Sequence, residues 1–166
     1  MDDAQQVVAL VPRLRRYARA LIRDRALADD LVQDTLERAW TKLHLYRRGT
    51  DLRAWLFTVM HNVYVNQRRA ERETVELDAA ELEDAAAPSA SDGLEIRDLE
   101  RALHRLPDEQ RKVLLLVALE EMSYDEAART LGVPIGTVMS RLSRARERLR
   151  ALMHGLPVAT KLQVVK

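Results

Sequence analysis

Apolar residues in the first part of the chain recur at the three- and four-residue intervals typical of amphipathic helices. The pattern predicts three helices, over residues 4–22, 26–45 and 51–71. A polar run, Tyr46-Arg47-Arg48-Gly49-Thr50, interrupts it and predicts a loop before the third helix. The side chains predicted to face inward are Val7, Val11, Leu14, Ala18 and Leu21, then Leu27, Leu31, Ala39, Trp40 and Leu43, then Leu52, Trp55, Leu56, Val59 and Val63.

Near the other end of the chain, the stretch MSYDEAARTLGVPIGTVMSRLSRARERLR predicts two helices joined by a tight turn. Ser123 and Glu126 have the spacing of a capping box, so a short helix should begin there. Gly132 is expected to adopt a positive φ in the turn, because glycine does so at little cost. Pro134 suits the start of the next helix, since it has no N–H to leave unpaired.

The second of these helices divides into an apolar and a polar face at about 100° per residue. Val138, Leu142, Ala145, Leu149 and Leu152 form the predicted buried stripe. Small residues near the front of the opposite face would let the backbone approach a DNA major groove closely, with arginines behind them for phosphates. That face contains Gly136, Ser140, Ser143, Arg144 and Glu147, flanked by Arg141 and Arg148 on one side and Met139 and Arg146 on the other. The alternative is a helical hairpin with a solvated basic face.

An acidic segment, TVELDAAELEDAAAPSASDG, separates the two helical parts. Its composition is that of a linker, with weak helical tendency before Pro88. Two more helices are predicted after it, over residues 94–106 and 107–121. The predicted organisation is a helical domain at 1–73, a linker at 74–93, a second helical domain at 94–154 and a tail of unassigned role at 155–166.

Composition supports an all-α protein, because aromatic residues make up only 4% of the 166 residues and Leu, Ala, Arg and Glu dominate. The chain has no cysteine, which excludes disulfides and thiolate metal sites and fits a reducing cytoplasm. No apolar run is long enough for a membrane span, and the acidic start lacks the layout of a signal peptide. We therefore expect a cytoplasmic protein without membrane insertion.

Enzyme motifs are missing from the sequence. The four histidines are scattered, and there is no metalloprotease spacing, phosphate-binding glycine loop or nucleophile elbow. We expect no catalytic residue, no metal and no cofactor.

Charge is unevenly distributed although the net charge is only +1. Residues 1–73 carry 14 basic against 10 acidic residues, a net charge of +4, and residues 94–166 carry 13 against 10, a net charge of +3. The segment 74–93 has 6 acidic and no basic residues. Two mildly basic parts are thus separated by an acidic one, which either is repelled by DNA phosphates or is simply solvated.

Three stretches resemble bacterial RNA polymerase sigma factors of the extracytoplasmic-function (ECF) group of the sigma-70 family. LPDEQRKVLLLVALEEMSYDEAARTLGVPIGTVMSRLSRARERL resembles region four, which reads the upstream (minus-thirty-five) promoter element. ADDLVQDTLERAW resembles the polymerase-binding helix of region two, and LRAWLFTVMHNVYVNQRR its helix that melts and reads the downstream (minus-ten) element. The matches occur in the family's order and span most of the chain.

The resemblance implies that the second helix docks on the clamp helices of the polymerase β′ subunit, with further contacts to the β subunit. The polar and acidic face of this helix suits a basic protein partner, although a solvated face would look the same. Gln33 and Asp34 are the strongest candidates within the predicted set of Asp30, Gln33, Asp34 and Glu37.

For the downstream element, the resemblance puts Asn62 at the pocket for a flipped base, with the loop LYRRGTDLR as the other wall. Amide side chains can donate and accept hydrogen bonds, so they can read an exposed base edge. The predicted contacts are Arg47, Arg48, Arg53, Asn62, Asn66, Arg68 and Arg69. Principal sigma factors carry two adjacent tryptophans where this chain has Trp55-Leu56, which implies weaker intrinsic melting and stricter promoter demand.

For the upstream element, Ser140 and Arg144 match positions that touch DNA in the family. Met139 and Ser143 stand where some relatives have Arg and an aromatic residue, so the sequence read here is expected to differ. The predicted contacts are Gly136, Thr137, Met139, Ser140, Arg141, Ser143, Arg144 and Arg146, with Arg141 and Arg146 assigned to phosphates.

The predicted partners are core RNA polymerase, promoter DNA and an anti-sigma factor, the last implied by resemblance alone. A stand-alone helix-turn-helix regulator with a sensing or dimerising first domain is the main alternative. A structural helical adaptor is another, in which the arginine-rich helix is only a solvated face.

Overall fold

The computed structural model describes residues 2–75 and 94–155, and within these ranges the chain forms only helices and the turns between them. Helices α1, α2 and α3 form one compact unit, and α4, α5, α7 and most of α6 form a second. The predicted all-α class with two helical domains is confirmed, whereas nearly all of the predicted linker and tail lies outside the described residues. The helices are α1 (Asp3–Leu21), α2 (Arg25–Lys42), α3 (Leu52–Val75), α4 (Leu94–Arg105), α5 (Asp108–Leu114), α6 (Tyr124–Leu131) and α7 (Ile135–Met153).

Side-chain caps set the start of the first two helices. The Asp2 carboxylate accepts a hydrogen bond from the backbone N–H of Gln5 at 2.8 Å, and the Gln5 amide oxygen accepts one from the N–H of Asp2 at 3.0 Å. Asp24 accepts from the N–H groups of Ala26 and Leu27, at 2.9 and 3.2 Å. These bonds satisfy N–H groups that have no partner within a helix, so α1 and α2 begin where the acidic residues stand.

The core of the first unit forms where α1, α2 and α3 pack against one another. Four of the five side chains predicted to face inward from α1 are buried, and the fifth, Val11, is half-buried. Tyr17 of α1 is buried as well and meets the ring of Phe57 edge-on, with centroids 5.1 Å apart. This edge-to-face geometry is favourable for aromatic pairs, so it helps to fix α1 against α3.

The predicted inward face of α2 is partly wrong. Leu31 and Ala39 are buried, but Leu27 and Trp40 are exposed at 42% and 45%. The face that packs against α1 and α3 is instead formed by Ala28, Leu31, Val32, Thr35 and Ala39. The predicted helix to residue 45 also ends earlier, because the α-helix gives way to a 3-10 turn at Leu43–Leu45.

Helix α3 follows the predicted pattern over most of its length but continues beyond the predicted end at residue 71. Leu52, Leu56, Val59 and Val63 are buried as predicted. Trp55 is only half-buried, and its ring lies 5.5 Å from that of Tyr46 in the preceding loop. Trp55 therefore closes the edge of the core next to the loop instead of lying inside it.

In the second unit, α7 packs against α4 and α5. The turn between α4 and α5 is held by the buried guanidinium of Arg111, which donates to the carbonyl of Leu106 at 2.9 Å and also pairs with Asp108 at 3.2 Å. Carbonyls at a helix end lack partners within the helix, so this arginine satisfies groups that burial would otherwise leave unpaired.

The predicted helix over residues 107–121 has two parts. The α-helix begins at Asp108 and ends at Leu114, after which a π-helical turn runs from Leu115 to Leu119. The N–H of Glu120 donates to the carbonyl of Leu115 at 3.0 Å, and Glu121 then ends the element with a positive φ of 57°. This left-handed backbone is costly for a residue with a side chain. The chain adopts it at Glu121, where it leaves the helix and turns towards α6.

Candidate nucleic-acid and protein interfaces

The turn between α6 and α7 forms as predicted. Ser123 Oγ accepts from the N–H of Glu126 at 3.0 Å, and the Glu126 carboxylate accepts from the N–H of Ser123 at 2.9 Å, so the capping box is complete. Gly132 has a φ of 68°, and the N–H of Val133 donates to the carbonyl of Ala128 at 3.1 Å. This is the Schellman arrangement that ends a helix on glycine, and it aims the front of α7 away from α6.

Pro134 stands at the N-cap position of α7 and not inside it. Its carbonyl accepts from the N–H groups of Thr137 and Val138, at 3.0 and 3.3 Å. The Pro134 side chain makes no capping hydrogen bond, so among the residues that the structure describes, N–H groups in the first turn of α7 remain available to an acceptor such as a DNA phosphate.

The two faces of α7 separate as predicted. Val138, Leu142 and Ala145 are buried, and Leu149 and Leu152 are half-buried further along the stripe. Six of the eight residues predicted to contact the upstream element are exposed, while Thr137 and Arg141 are half-buried. The exposed six are Gly136, Met139, Ser140, Ser143, Arg144 and Arg146.

Arg141 is held by a residue that sequence reasoning did not single out. Its guanidinium lies 3.7 Å from the carboxylate of Glu109 on α5, and 25% of the Arg141 side chain is exposed. Lys112, one turn after Asp108 on α5, lies 3.7 Å from the Asp108 carboxylate. Burial lowers the pKa of the Lys112 ammonium, while the neighbouring Asp108 and Glu109 carboxylates oppose that shift and the Arg141 charge adds to it. Arg141 therefore belongs to a mixed-charge cluster on one side of α7.

In the first unit, the four residues predicted to contact polymerase are all exposed on α2. Asp34 accepts a hydrogen bond from the side-chain amide of Gln67 on α3, at 2.6 Å. Asp34, Glu37, Asn66 and Gln67 line one shallow groove between α2 and α3. The groove thus joins predicted polymerase contacts to Asn66, a predicted contact for the downstream element. Gln67 carried no signal in the sequence, because its partner lies 33 residues away.

The remaining predicted contacts for the downstream element lie on α3 and in the loop before it. Asn62 and Asn66 are exposed one turn apart, followed by exposed Arg68 and Arg69. The Arg68 guanidinium lies 5.7 Å from the centre of the Tyr64 ring, and it also pairs with Glu71 at 3.5 Å. These contacts hold the Arg68 side chain near the protein surface.

The loop between α2 and α3 has a defined conformation. Gly49 takes a φ of 92°, and Thr50 Oγ1 donates to the carbonyl of Arg47 at 2.7 Å. Arg47 and Arg48 are exposed, and Arg48 Nε lies 3.2 Å from the Asp3 carboxylate at the start of α1. Arg53 is half-buried, with its guanidinium 4.0 Å from Asp51. Of the three arginines, Arg53 is therefore the least accessible to a phosphate.

Within residues 2–75 and 94–155, no group of three or more His, Asp or Glu side chains is arranged to hold a metal ion. No helix in the same ranges has the length and apolarity needed to cross a membrane.

Comparisons with known proteins agree with this architecture. The family described as "Sigma2 domain of PhyR" matches residues 7–61, and the family described as "Sigma-70, region 4" matches residues 96–149. Two sigma-type domains in this order define the class of protein.

Individual relatives narrow the class to a family. The chain is 37% identical over 150 residues to the ECF RNA polymerase sigma factor EcfG of Rhodopseudomonas palustris, covering 89% of this chain and 83% of that protein. It also resembles the solved sigma factor RpoE of Bartonella quintana, in complex with the anti-sigma factor NepR, with a TM-score of 0.82, 38% identity and coverage of 91% and 96%. The PhyRSL–NepR complex of Sphingomonas gives a TM-score of 0.70, 25% identity and coverage of 97% and 95%. The chain belongs to the ECF RNA polymerase sigma factors, a family of transcription factors and not a class of enzymes.

Proposed function

We propose that this sigma factor binds core RNA polymerase through the exposed acidic face of α2 and carries two promoter-reading surfaces, on α7 and on α3. The observation that carries the proposal is the exposed face of α7, which combines uncharged residues at its front with arginines behind them. A front of this kind fits a major groove, and the arginines after it fit the flanking phosphates.

One face of α2 is assigned to polymerase because three of the four residues predicted to contact it are exposed carboxylates and the fourth is an exposed amide. Carboxylates are repelled by DNA phosphates and suit a basic protein surface, and the assigned contacts are Asp30, Gln33, Asp34 and Glu37. Transcript synthesis would remain the chemistry of the polymerase, which works in the bacterial cytoplasm, so this partner also sets the expected location of the chain.

The surface of α3 and its preceding loop is assigned to unpaired DNA of the downstream element. Asn62 can donate and accept hydrogen bonds on the Watson–Crick edge of a base, and exposed Arg47, Arg48 and Arg69 supply positive charge for phosphates. Unstacking a base costs a few kcal/mol, which contacts in the bound state must offset.

Binding of both promoter elements by one chain strengthens the complex beyond either contact. Once one surface is bound, the other acts at an effective concentration set by the connecting segment, so two weak contacts suffice. The domain bounds of 1–73 and 94–154 and the linker of 74–93 are part of this proposal.

An anti-sigma factor is the proposed regulator. The support is that two solved neighbours of this chain, RpoE and PhyRSL, are each in complex with a NepR protein. Trp40 and Leu45, exposed at 45% and 64%, are large apolar side chains that a protein partner could cover.

Run-off transcription tests the proposed function. Purified core RNA polymerase is supplied with a promoter library, with and without the full chain, and transcripts are sequenced. We expect promoter-specific transcripts only when the chain is added. Transcripts that do not change on addition would contradict the proposal and favour a stand-alone DNA-binding regulator or an adaptor.

Arg144→Ala is expected to weaken promoter binding by about 1–3 kcal/mol if the guanidinium contacts a guanine in the major groove. The loss should fall on promoters that carry that guanine, as measured by competition binding of the polymerase complex to promoter duplexes. Arg101→Ala is the matched control, because Arg101 is an exposed arginine on α4 outside the proposed surfaces. A loss of equal size on all promoters would instead assign Arg144 to a phosphate.

A further inference from the structure

The front of α7 carries no charged side chain. Its first six residues are Ile135, Gly136, Thr137, Val138, Met139 and Ser140, and the first cation of the helix is Arg141. A recognition helix contacts base edges mainly with its N-terminal residues. The commonest specific contact, a bidentate arginine or lysine on guanine, is therefore not available to the front of α7.

Two large apolar side chains stand exposed in this uncharged stretch. Ile135 is 43% exposed and Met139 is 48% exposed, whereas Val138 between them is fully buried. Residues four apart on a helix are neighbours on its surface, so Ile135 and Met139 form one apolar edge. Exposure of two such side chains leaves apolar surface in water, and covering that surface on binding would be favourable.

The surroundings of this apolar edge point to duplex DNA as its occupant. Met139, Ser143 and Arg146 line one groove, together with Glu147 and Arg150 of the same helix and Tyr124 of α6. Exposed Arg144 and Arg146 provide positive charge just behind the apolar edge. An apolar protein surface would gain nothing from these cations, whereas a duplex offers them phosphates and guanine edges.

Within the major groove, thymine is the base with an apolar group. Its C5 methyl projects into the groove and is read by apolar side chains, while the other base edges there present hydrogen-bonding groups. Methionine is unbranched and adaptable, so it can follow such a methyl without exact placement of the helix.

We propose that Met139 reads the C5 methyl of a thymine in the upstream promoter element, with Ile135 extending the same apolar edge. This assignment rests on the duplex binding proposed above for α7. It adds the chemical class of the base contacted and a residue that determines specificity.

The experiment removes the proposed contact once from the protein, by substituting Met139, and once from the DNA, by removing the thymine methyl. The full chain, bound to core RNA polymerase, first selects duplexes from a library randomised in the upstream element. The selected duplex is then remade with each thymine replaced in turn by deoxyuridine, which lacks only the methyl. Affinities are measured by competition for the complexes of the unmodified chain, Met139→Ala, Met139→Leu and Met153→Ala. Met153 is the matched control, because it is a methionine at the other end of α7 and is 40% exposed.

We expect one deoxyuridine to weaken binding of the unmodified chain about fourfold, the factor expected from the loss of one buried methyl group. Met139→Ala should bind the thymine duplex at least as weakly as the unmodified chain binds the deoxyuridine duplex. Replacing that thymine by deoxyuridine should then cost Met139→Ala no further affinity. Met139→Leu should keep most of the methyl dependence, and Met153→Ala should behave as the unmodified chain.

Three results would overturn the proposal. A selected duplex whose affinity is unchanged by every deoxyuridine would show that no thymine methyl is read, although the proposed function would stand. If Met139→Ala weakens binding by the same factor on the thymine duplex and on the deoxyuridine duplex, each compared with the unmodified chain on the same duplex, Met139 makes another contact and does not read the methyl. Failure of the complex to select any duplex over core polymerase alone would remove the proposed function itself.

Discussion

At the scale of single residues, Gly132 is the position on which the orientation of α7 depends. Its φ of 68° lies in the left-handed region, and the neighbouring N–H of Val133 closes the end of α6. A Cβ added at Gly132 would meet nothing within 4 Å, so space does not limit the choice of residue. Only the backbone conformation requires glycine there.

Gly132→Ala is therefore expected to destabilise the protein by about 1–2 kcal/mol, the cost of left-handed backbone for a residue with a side chain. Urea unfolding of the full chain measures the change. Gly136→Ala is the control, because Gly136 lies inside α7 with an ordinary φ and alanine favours a helix there. Equal or greater destabilisation by Gly136→Ala would contradict this account of the turn.

The sequence predicted Gly132, Ser123 and Glu126 correctly because each acts through neighbours a few residues away. The pairing of Arg141 with Glu109 was not predictable in the same way. It depends on α7 packing against α5, which no local pattern specifies. Its consequence is that a proposed phosphate contact is already partly neutralised in the free protein.

Glu109→Gln should strengthen binding to an upstream-element duplex by up to roughly fivefold, because an exposed ion pair is worth about 0.2–1 kcal/mol. The gain should be largest at low salt and should disappear in an Arg141→Gln background, as followed by fluorescence anisotropy. Glu100→Gln makes the same change of net charge at an exposed position on α4. If both glutamine variants bind alike, Glu109 does not act through Arg141.

At the scale of elements, helix α2 shows where the apolar pattern misleads. Small and medium residues, Ala28, Val32 and Thr35, form much of its buried face, whereas the large Leu27 and Trp40 are exposed. Thr35 is tolerated in the core because its hydroxyl donates to the carbonyl of Leu31 at 2.7 Å. Residue size suggested one face, and the packing of α1 and α3 around α2 selected another.

Leu31→Ala is expected to cost about 2–5 kcal/mol of folding free energy, since Leu31 is fully buried and its loss leaves a cavity. Leu27→Ala should cost well under about 1 kcal/mol, because Leu27 is 42% exposed and points about 100° around the helix from the buried Ala28. Thermal or urea unfolding distinguishes the two. Similar losses of folding free energy for both variants would instead support the inward face of α2 that the apolar pattern predicted.

The helices α3 and α7 were more predictable than α2, because every residue of their predicted apolar stripes is buried or half-buried. The π-helical turn at Leu115–Leu119 had no such signal. Its residues are apolar whichever helical form they take, and the change of hydrogen-bond register shows only in the backbone. The hydrogen bond between Gln67 and Asp34 was equally invisible, because it joins two helices across the groove of the first unit.

At the scale of the whole molecule, two helical units present different chemistry to their partners. The predicted polymerase contacts on α2 are exposed and acidic or polar, whereas the exposed face of α7 is uncharged at its front and mainly basic behind. Those opposite characters are the reason to assign polymerase to one and duplex DNA to the other. Family membership gives the class of activity, whereas the assignment of each surface depends on this difference.

Binding of the full chain to core RNA polymerase tests that assignment most directly. A fluorescently labelled chain is titrated with purified core enzyme, alongside Asp34→Lys and the control Asp98→Lys, which makes the same charge reversal at an exposed position on α4. We expect saturable binding that Asp34→Lys weakens by at least about tenfold, because like charges at an interface cost several kcal/mol, and that Asp98→Lys leaves nearly unchanged. No association with the core enzyme, or equal binding by the two variants, would contradict the account.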